Sequence, residues 1–527
     1  MEKKRFYITT PIYYPSGDAH IGHAYCTTMC DIFARYKRAR HFECYFLTGT
    51  DEHGQKIQKN ALIANKDTQT YVDEIVYKFK DLWRLLEISN DDFIRTTEER
   101  HIKVVQSVFS DFLKQDDVYL GQYEGWYCTP CESFWTDTQV GEEHLCPDCH
   151  RPVEKQTEDC YFFKTRKYLE PLNEFFNKEN SIYPLSRKNE MMNNFIKPGL
   201  NDLCVSRTSF TWGVPILENN KHVAYVWLDA LFNYLSALGF RSEDDSLYKK
   251  YWESEESEII HVIGADITRF HTIYWPEFLS ALNLRHPDRV FVHGLLMMKD
   301  GKMSKSKGNV ISPYPLVEKY GVDAVRYYFA REIVFGQDGQ FTPEQFIERI
   351  NADLANNYGN LVNRTISMII KYFGGVIPEF KSITSLDKEL EDLVISTKKS
   401  FEDYMDDLKI TEAYVEVMNL LSRANKYIEE TTPWALAKDE TKINELKAVM
   451  SHLAYVLFNA TLMLEPVIVK KTKLIYKYLG LSEDQCDYNN MLNTHILDNL
   501  VVSKGDALFP RLDEKDLEFV KNLVKPR

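Results

Sequence analysis

Four cysteines, Cys128, Cys131, Cys146 and Cys149, stand as two Cys-x-x-Cys pairs with fourteen residues between the pairs. Each pair presents two thiolates from one tight knuckle, and Pro130 in the first and Pro147-Asp148 in the second supply turn formers there. Two knuckles joined by a short loop close a tetrahedron around one zinc ion per chain. With sulfur at every corner no position stays open for water, so this metal is structural and the chemistry lies elsewhere. The competing outcome, two disulfides, needs an oxidising compartment. Met1-Glu-Lys-Lys-Arg5 runs straight into Phe6-Tyr-Ile-Thr-Thr10, with no apolar h-region and no Arg/Ser-rich leader. That start predicts a cytoplasmic protein with reduced thiols. The other six cysteines, at 26, 30, 44, 160, 204 and 486, lack metal spacing and are expected as buried or half-buried thiols.

A chain of 527 residues exceeds one ordinary core and predicts roughly three domains. Hydrophobic residues at 44% and charged residues at 27% describe a soluble globular protein. No uninterrupted apolar run reaches membrane-spanning length, so no membrane partner is expected. A net charge of −14 speaks against a protein that coats nucleic acid nonspecifically. It leaves room for a nucleic-acid enzyme, because a local basic groove suffices on a surface that otherwise repels.

Residues 5–12 and 43–48 are apolar runs of strand length. Between them Ile21, Tyr25, Thr28, Ile32 and Tyr36 recur at helical spacing. Strand, helix and strand with short links predict a parallel α/β unit. Residues 116–155 switch to short, turn-rich, cysteine-bearing segments, which predicts an insertion. Strand-like runs at 222–228, 258–263 and 289–296 predict that the sheet resumes after it. From about 344 long amphipathic patterns follow, Ile347 to Met368, Ala413 to Tyr427 and Val449 to Met463, and predict a helical bundle. The expected fold is therefore α/β, with a Rossmann-like parallel-sheet domain, a zinc-bearing insertion and an all-α C-terminal domain.

No G-x-G-x-x-G follows the first strand and no G-x-x-x-x-G-K-[ST] occurs, which disfavours dinucleotide binding and P-loop hydrolysis. Instead the first strand turns through Pro11-Ile-Tyr-Tyr-Pro-Ser-Gly17 and opens its helix with His20-Ile21-Gly22-His23. A helix N-terminus after a parallel strand is an anion site, and two imidazoles there can donate to phosphate oxygens. Gly22 leaves space for a flat base against the backbone. A second basic piece, Gly301-Lys302-Met303-Ser304-Lys305-Ser306-Lys307-Gly308, lies between two glycines. A mobile loop of that kind can bring ammonium groups onto a polyphosphate as charge builds on leaving pyrophosphate. The bland alternative is a solvated basic loop.

His20-Ile-Gly-His23 resembles the HIGH signature of class I aminoacyl-tRNA synthetases, and Lys302-Met-Ser-Lys-Ser306 matches their KMSKS loop letter for letter. Thr9-Thr-Pro-Ile-Tyr-Tyr14, Gly49-Thr-Asp-Glu-His-Gly54, Tyr225-Val-Trp-Leu-Asp-Ala230, Ile263-Gly-Ala-Asp-Ile-Thr-Arg-Phe-His271 and the four-cysteine insertion look like the methionyl members of that class. The resemblance runs from residue 6 to at least Pro433-Trp434. Pro11 and Leu231 depart from some members, and neither change removes a polar contact.

The resemblance implies a thioether pocket of Ile12, Tyr14, Trp227, Ala230, Tyr234, Ile267 and His271, with Asp51 holding the substrate ammonium. An unbranched, polarizable methionine suits such aromatic walls. His20, Gly22, His23, Gly264, Asp266 and Lys305 would bind ATP with Mg²⁺, and His20, His23, Lys302 and Lys305 would carry the catalysis. Asn360, Arg364 and Trp434 would read the anticodon. The implied reaction makes methionyl-adenylate and pyrophosphate from L-methionine and ATP, then transfers methionyl to tRNA(Met). Implied domains are a catalytic domain at 1–115 and 226–290, a connective insertion at 116–225, a KMSKS and stem-contact region at 291–343, and an anticodon-binding domain at 344–527. No dimerising module follows the bundle, so a monomer is expected. The alternatives are another class I synthetase or a non-catalytic RNA-binding paralogue. Open coordination at zinc and a large editing insertion, features of the cysteine and branched-chain enzymes, are both missing from this sequence.

Overall fold

Near-continuous burial marks the strand that opens the chain. In Arg5–Tyr13 only two positions escape full burial, which is what a strand covered on both faces requires. The computed structural model describes residues 4–129, 133–135, 137–147, 149–298, 301–302 and 311–524. Its first twelve strands are β1 Arg5–Tyr13, β2 Glu43–Thr50, β3 Asp92–Arg95, β4 Val118–Cys128, β5 Ser133–Trp135, β6 Glu154–Phe163, β7 Ile182–Tyr183, β8 Leu203–Cys204, β9 Ser206–Arg207, β10 Val223–Ala224, β11 Ser257–Gly264 and β12 Arg289–His293. Six of them form one parallel sheet in the order β3-β2-β1-β11-β12-β7. Strand order reverses between β1 and β11, so the crevice beyond their carboxyl ends is the natural ligand site of such a sheet.

The chain divides into two discontinuous units, 1–19 with 42–83 and 89–293, and 20–41 with 84–88 and 294–527. In the first, the helix Glu99–Lys114 buries His101, Val104, Val105, Val108, Phe109 and Phe112, a stripe at helical spacing. An antiparallel sheet in the order β5-β4-β6-β8 carries the cysteine-bearing turns. The edge strand β7 lies within the stretch 116–225 expected as an insertion, yet it pairs with β12. The run 222–228 is not a strand of the main sheet, contrary to expectation. Only Val223–Ala224 is extended, paired with β9, and Val226–Leu231 is a helix. Its unbroken apolar character reflects burial on all sides, which periodicity does not distinguish from a buried strand.

In the second unit the helix Ile21–Ala39 accompanies the C-terminal helices. Those include Val322–Glu332, Asn360–Phe373, Ser385–Asp406, Ile410–Thr431 and Ile443–Leu464. Thr384 and Asp387 cap Ser385–Asp406 reciprocally, and Gly374, at φ 62°, ends Asn360–Phe373 in the left-handed conformation that favours glycine. Ile443–Leu464 is buried on almost every face and forms the centre of the bundle.

One buried carboxyl group in the first unit meets no hydrogen-bonding partner among the described residues. This is Glu277, fully buried on the helix Trp275–Ala281. Burial, with Asp202 nearby, raises its pKa well above the usual carboxylate range. The folded protein therefore keeps this proton while the unfolded chain releases it above about pH 4.5. Stability falls as pH climbs beyond that point. Glu277→Gln removes the dependence. Its Tm should match the parent at pH 4.5–5 and exceed it by a few degrees at pH 8, since 1 kcal/mol is worth about 2–4 °C in units of this size. Equal Tm values at both pH values would show that Glu277 is ionised in the fold.

Candidate active site

The chain leaves β1, β2 and β11 at the reversal of strand order, and the residues that follow these strands include several of the expected site residues. The β1–β2 register shifts between Thr9 and Ile12, leaving Ile12 opposite Gly49 and Tyr13 opposite Thr50. The Asp51 backbone N–H then donates to Tyr13 O at 3.0 Å, tying the Asp51 segment to the end of β1. Gly49 admits no side chain, because a Cβ there would lie 2.1 Å from the Ile94 carbonyl oxygen. Ile12, Trp227 and Ala230 pack in one cluster with Tyr225 and Val226. Trp227 lies flat on Phe270, with ring centroids 3.3 Å apart.

Tyr234 and His271 close a second wall. His271 Nδ1 sits 3.0 Å from Ile267 O, which only accepts, so Nδ1 carries the proton and Nε2 accepts from the Tyr234 hydroxyl at 2.8 Å. Burial holds the His271 pKa down to about 4, leaving a neutral ring at pH 7. Ile12, Tyr234, Ile267, His271, Trp227 and Ala230 are thus linked by packing or hydrogen bonds, two or three at a time. Tyr14 continues β1 beyond its last strand residue, with the Lys56 ammonium 5.4 Å from its ring centroid. Gly264 ends β11. A Cβ on it would come within 2.8 Å of an Asp266 carboxylate oxygen, so both residues face one narrow turn.

The residues that fix this arrangement went unrecognised in the sequence. Asp229, fully buried between Trp227 and Ala230 in the chain, receives His53 Nδ1 at 2.6 Å and His101 Nε2 at 2.8 Å, one on each oxygen. His101 reaches on to Ser236 Oγ at 2.8 Å. Burial alone would raise the Asp229 pKa, but the two imidazoles more than offset it and hold it at about 2. Glu52, also fully buried, takes a two-point contact from Arg95 at 2.7 and 2.9 Å and hydroxyls from Thr50 and Thr97 at 2.6 and 2.7 Å. Asp51 is therefore followed directly by two residues, Glu52 and His53, whose side chains are locked. Glu52, His53 and Asp229 lie in the segments 49–54 and 225–230 that carry the family resemblance, but nothing in the sequence marked them as one another's supports.

Three of the four metal-spaced cysteines are described. The sulfurs of Cys128, Cys146 and Cys149 lie within 4.8 Å of one another, and Cys128 Sγ is 3.5 Å from Cys149 Sγ. A disulfide is far shorter. Thiolates at 2.3 Å around tetrahedral zinc stand about 3.8 Å apart, so the cluster is compatible with a structural zinc. Cys131 lies outside the described residues.

In the second unit His20 is the N-cap of Ile21–Ala39. Its Nδ1 accepts from the Gly22 N–H at 3.1 Å, while His23 Nδ1 accepts from the His20 N–H at 3.2 Å. The rings stack at 3.8 Å. This is a capping box built from two imidazoles, and it leaves the proton on Nε2 of each ring, a donor pair at a helix N-terminus. Gly301-Lys302 pairs with Met297-Met298 as a short antiparallel ribbon, and Lys305 lies outside the described residues. Asn360 and Arg364 stand one turn apart on Asn360–Phe373 and contact Asn425 at 3.3 Å and Glu429 at 2.6 Å. Trp434 is 42% exposed, so it is not a core aromatic.

Because Asp229 is ionised only through its two histidine partners, Asp229→Ala should lower the stability of the first unit by roughly 2–3 kcal/mol at pH 7. A lowered carboxylate pKa stabilises above about pH 4 and loses that effect as pH falls toward 2. The gap between parent and variant, measured by urea unfolding, should narrow over that interval. A gap independent of pH would assign the loss to packing alone.

The model of the family "tRNA synthetases class I (M)" matches residues 6–366, and that of the "Anticodon binding domain of methionyl tRNA ligase" matches residues 377–522. The methionine–tRNA ligase of Oceanobacillus iheyensis is 53% identical across 96% of this chain and 77% of its own length. That of Halalkalibacterium halodurans is 51% identical across 99% of this chain and 81% of its own length. Among solved structures, Mycobacterium tuberculosis methionyl-tRNA synthetase in complex with methionyl-adenylate superposes with a TM-score of 0.92 at 35% identity, covering 96% of this chain and 100% of that one. The chain belongs to the methionyl family of class I tRNA synthetases.

Proposed function

We propose that this chain is a methionine–tRNA ligase acting in translation initiation and elongation. The observations that support the reading are the neutral His271 hydrogen-bonded to Tyr234, Trp227 stacked on Phe270, and the packing of Ile12 with Trp227 and Ala230, which would form the walls of an aromatic pocket. A thioether fits such walls, and a cationic or acidic side chain does not. Asp51 would pair with the substrate ammonium. The methionine carboxylate oxygen attacks the α-phosphorus of ATP, the bond from that phosphorus to the bridging oxygen breaks, and pyrophosphate leaves. No enzyme nucleophile is needed, only placement and charge stabilisation.

His20 and His23 would donate from Nε2 to phosphate oxygens, with Gly22 beneath the base and Gly264 and Asp266 bordering the nucleoside. Lys302 and Lys305 would neutralise the charge that builds on the leaving group. Mg²⁺ bound with ATP would supply further positive charge at the phosphates. In the second step a hydroxyl of the terminal adenosine of tRNA attacks the activated carbonyl and AMP departs. Asn360, Arg364 and Trp434 would read the anticodon by hydrogen bonds to base edges and by stacking. One zinc per chain on Cys128, Cys131, Cys146 and Cys149 would brace the insertion, and a cytoplasmic location belongs to the same reading. The domain limits follow it too: catalytic at 1–115 and 226–290, insertion at 116–225, KMSKS and stem-contact region at 291–343, anticodon-binding at 344–527.

Labelled pyrophosphate should exchange into ATP when methionine is added, and hardly at all with leucine, isoleucine or cysteine. Lys305→Ala should lower kcat about a hundredfold or more while moving the methionine KM only a few-fold, the signature of a contact made in the transition state. Exchange driven by another amino acid would overturn the substrate, and an unchanged kcat would remove Lys305 from the reaction.

A further inference from the structure

A ladder of side-chain hydrogen bonds joins the helical stretch Ile350–Phe373 to the helix Ile410–Thr431, and its rungs keep one sequence offset. Asn357 meets Ser422 at 2.9 Å, Asn360 meets Asn425 at 3.3 Å, and Arg364 meets Glu429 at 2.6 Å. Partners advance together along both chains, so the two helices run parallel here and successive rungs lie about one turn apart.

The middle of this ladder transmits an orientation. Asn357 Nδ2 lies 3.0 Å from the Met418 carbonyl oxygen, which can only accept, so the Asn357 amide has one permitted sense. Its Oδ1 then accepts from Asn425 Nδ2 at 3.0 Å. The same Asn425 Nδ2 faces the carbonyl oxygens of Asn357 at 3.3 Å and Leu421 at 3.2 Å, which fixes Asn425 independently. Asn425 Oδ1 is left to face Asn360, and it can only accept. Asn360 must therefore turn its NH₂ inward and its Oδ1 outward, where it meets no hydrogen-bonding partner among the described residues. A backbone carbonyl thus sets the sense of Asn360 through two intermediate amides.

We propose that Asn425 is a positioning residue that locks the Asn360 amide with its oxygen outward, so that this rung accepts a hydrogen bond from an exocyclic amino group of an anticodon base. The inference rests on the anticodon reading of Asn360 given above. Cytosine at C4 and adenine at C6 carry such an amino group on the Watson–Crick edge next to the major-groove side. Uracil and guanine carry a carbonyl at that ring position, which would meet Oδ1 lone pair to lone pair. A freely turning Asn360 would satisfy either kind of base by rotating its amide, so the lock is what converts a polar contact into discrimination.

The test uses in vitro transcripts of tRNA(Met), with each anticodon cytosine replaced by uridine and each adenine by inosine, which exchanges an amine for a carbonyl. The readout is the ratio of aminoacylation kcat/KM between the natural transcript and each replacement, with Tm measured on every variant. Asn425→Ala should lower the natural transcript's kcat/KM only two- to threefold, the cost of populating the right amide sense part of the time. At one anticodon position it should shrink the discrimination ratio about tenfold, because the carbonyl-bearing transcript gains a donor. A structural role alone would depress all transcripts in parallel and leave the ratio unchanged. Asn360→Ala should collapse the ratio at the same position. If it does so and Asn425→Ala leaves the ratio intact, the lock is overturned while the anticodon reading stands. If Asn360→Ala leaves every ratio at the parent value, the reading itself fails. Should Asn425→Ala not yield folded protein, the near-isosteric Asn425→Leu carries the same test.

Discussion

A buried guanidinium decides to which part of the protein the histidine-bearing helix belongs. Arg326 is fully buried and spends its fork on four acceptors: Asp31 Oδ2 at 2.6 Å and the carbonyl oxygens of Leu86, Pro466 and Val467 at 3.1, 2.9 and 3.1 Å. A charge taken out of water costs several kcal/mol unless it is met in this way, and removing one partner strands the other. Asp31 lies in the middle of Ile21–Ala39, the helix that the chain enters directly from β1. Further along the same helix, Lys37 and Arg40 both reach Asp406 at 2.8 Å. On the Arg326 helix, Asp323 accepts the N–H groups of Val469, Lys470 and Lys471 at the start of the helix Lys471–Tyr478. The residues His20 and His23 are therefore carried by the unit that holds Asn360, Arg364 and Trp434, although sequence proximity groups them with the sheet.

The first unit uses a related device, buried polar groups that hold one another. Asp229 is consumed by His53 and His101, Glu52 by Arg95 and two threonines, and His271 is kept neutral by burial and bound to Tyr234. His261 follows the same rule: its Nε2 accepts from Trp275 Nε1 at 3.2 Å, which directs Nδ1–H to the Thr9 hydroxyl at 2.9 Å. Preorganisation of this kind removes side-chain freedom before any ligand arrives.

Elements with a strong local period were legible in the sequence. The first strand, the helix after it, the second strand and the long bundle helices all carry their own apolar spacing. Two kinds of feature were not legible. Residues 223–228 gave an apolar run, and a buried helix and a buried strand look alike at that length. Ile182–Tyr183 is too short to carry a pattern at all. The site showed the same division. Local motifs pointed to His20, His23 and the spaced cysteines, whereas Asp229 with His53 and His101, and Arg326 with Asp31, join positions more than a hundred residues apart. Such pairs arise from topology, and a single sequence carries no mark of them.

The most direct measurement is the transfer of labelled methionine onto tRNA(Met) by the purified chain with ATP. The account predicts methionyl-tRNA that needs the 3′-terminal adenosine and falls by at least tenfold when the anticodon is replaced, because the proposed function assigns anticodon reading to Asn360, Arg364 and Trp434. Charging with a different amino acid, or charging with methionine that is indifferent to the anticodon, would contradict it.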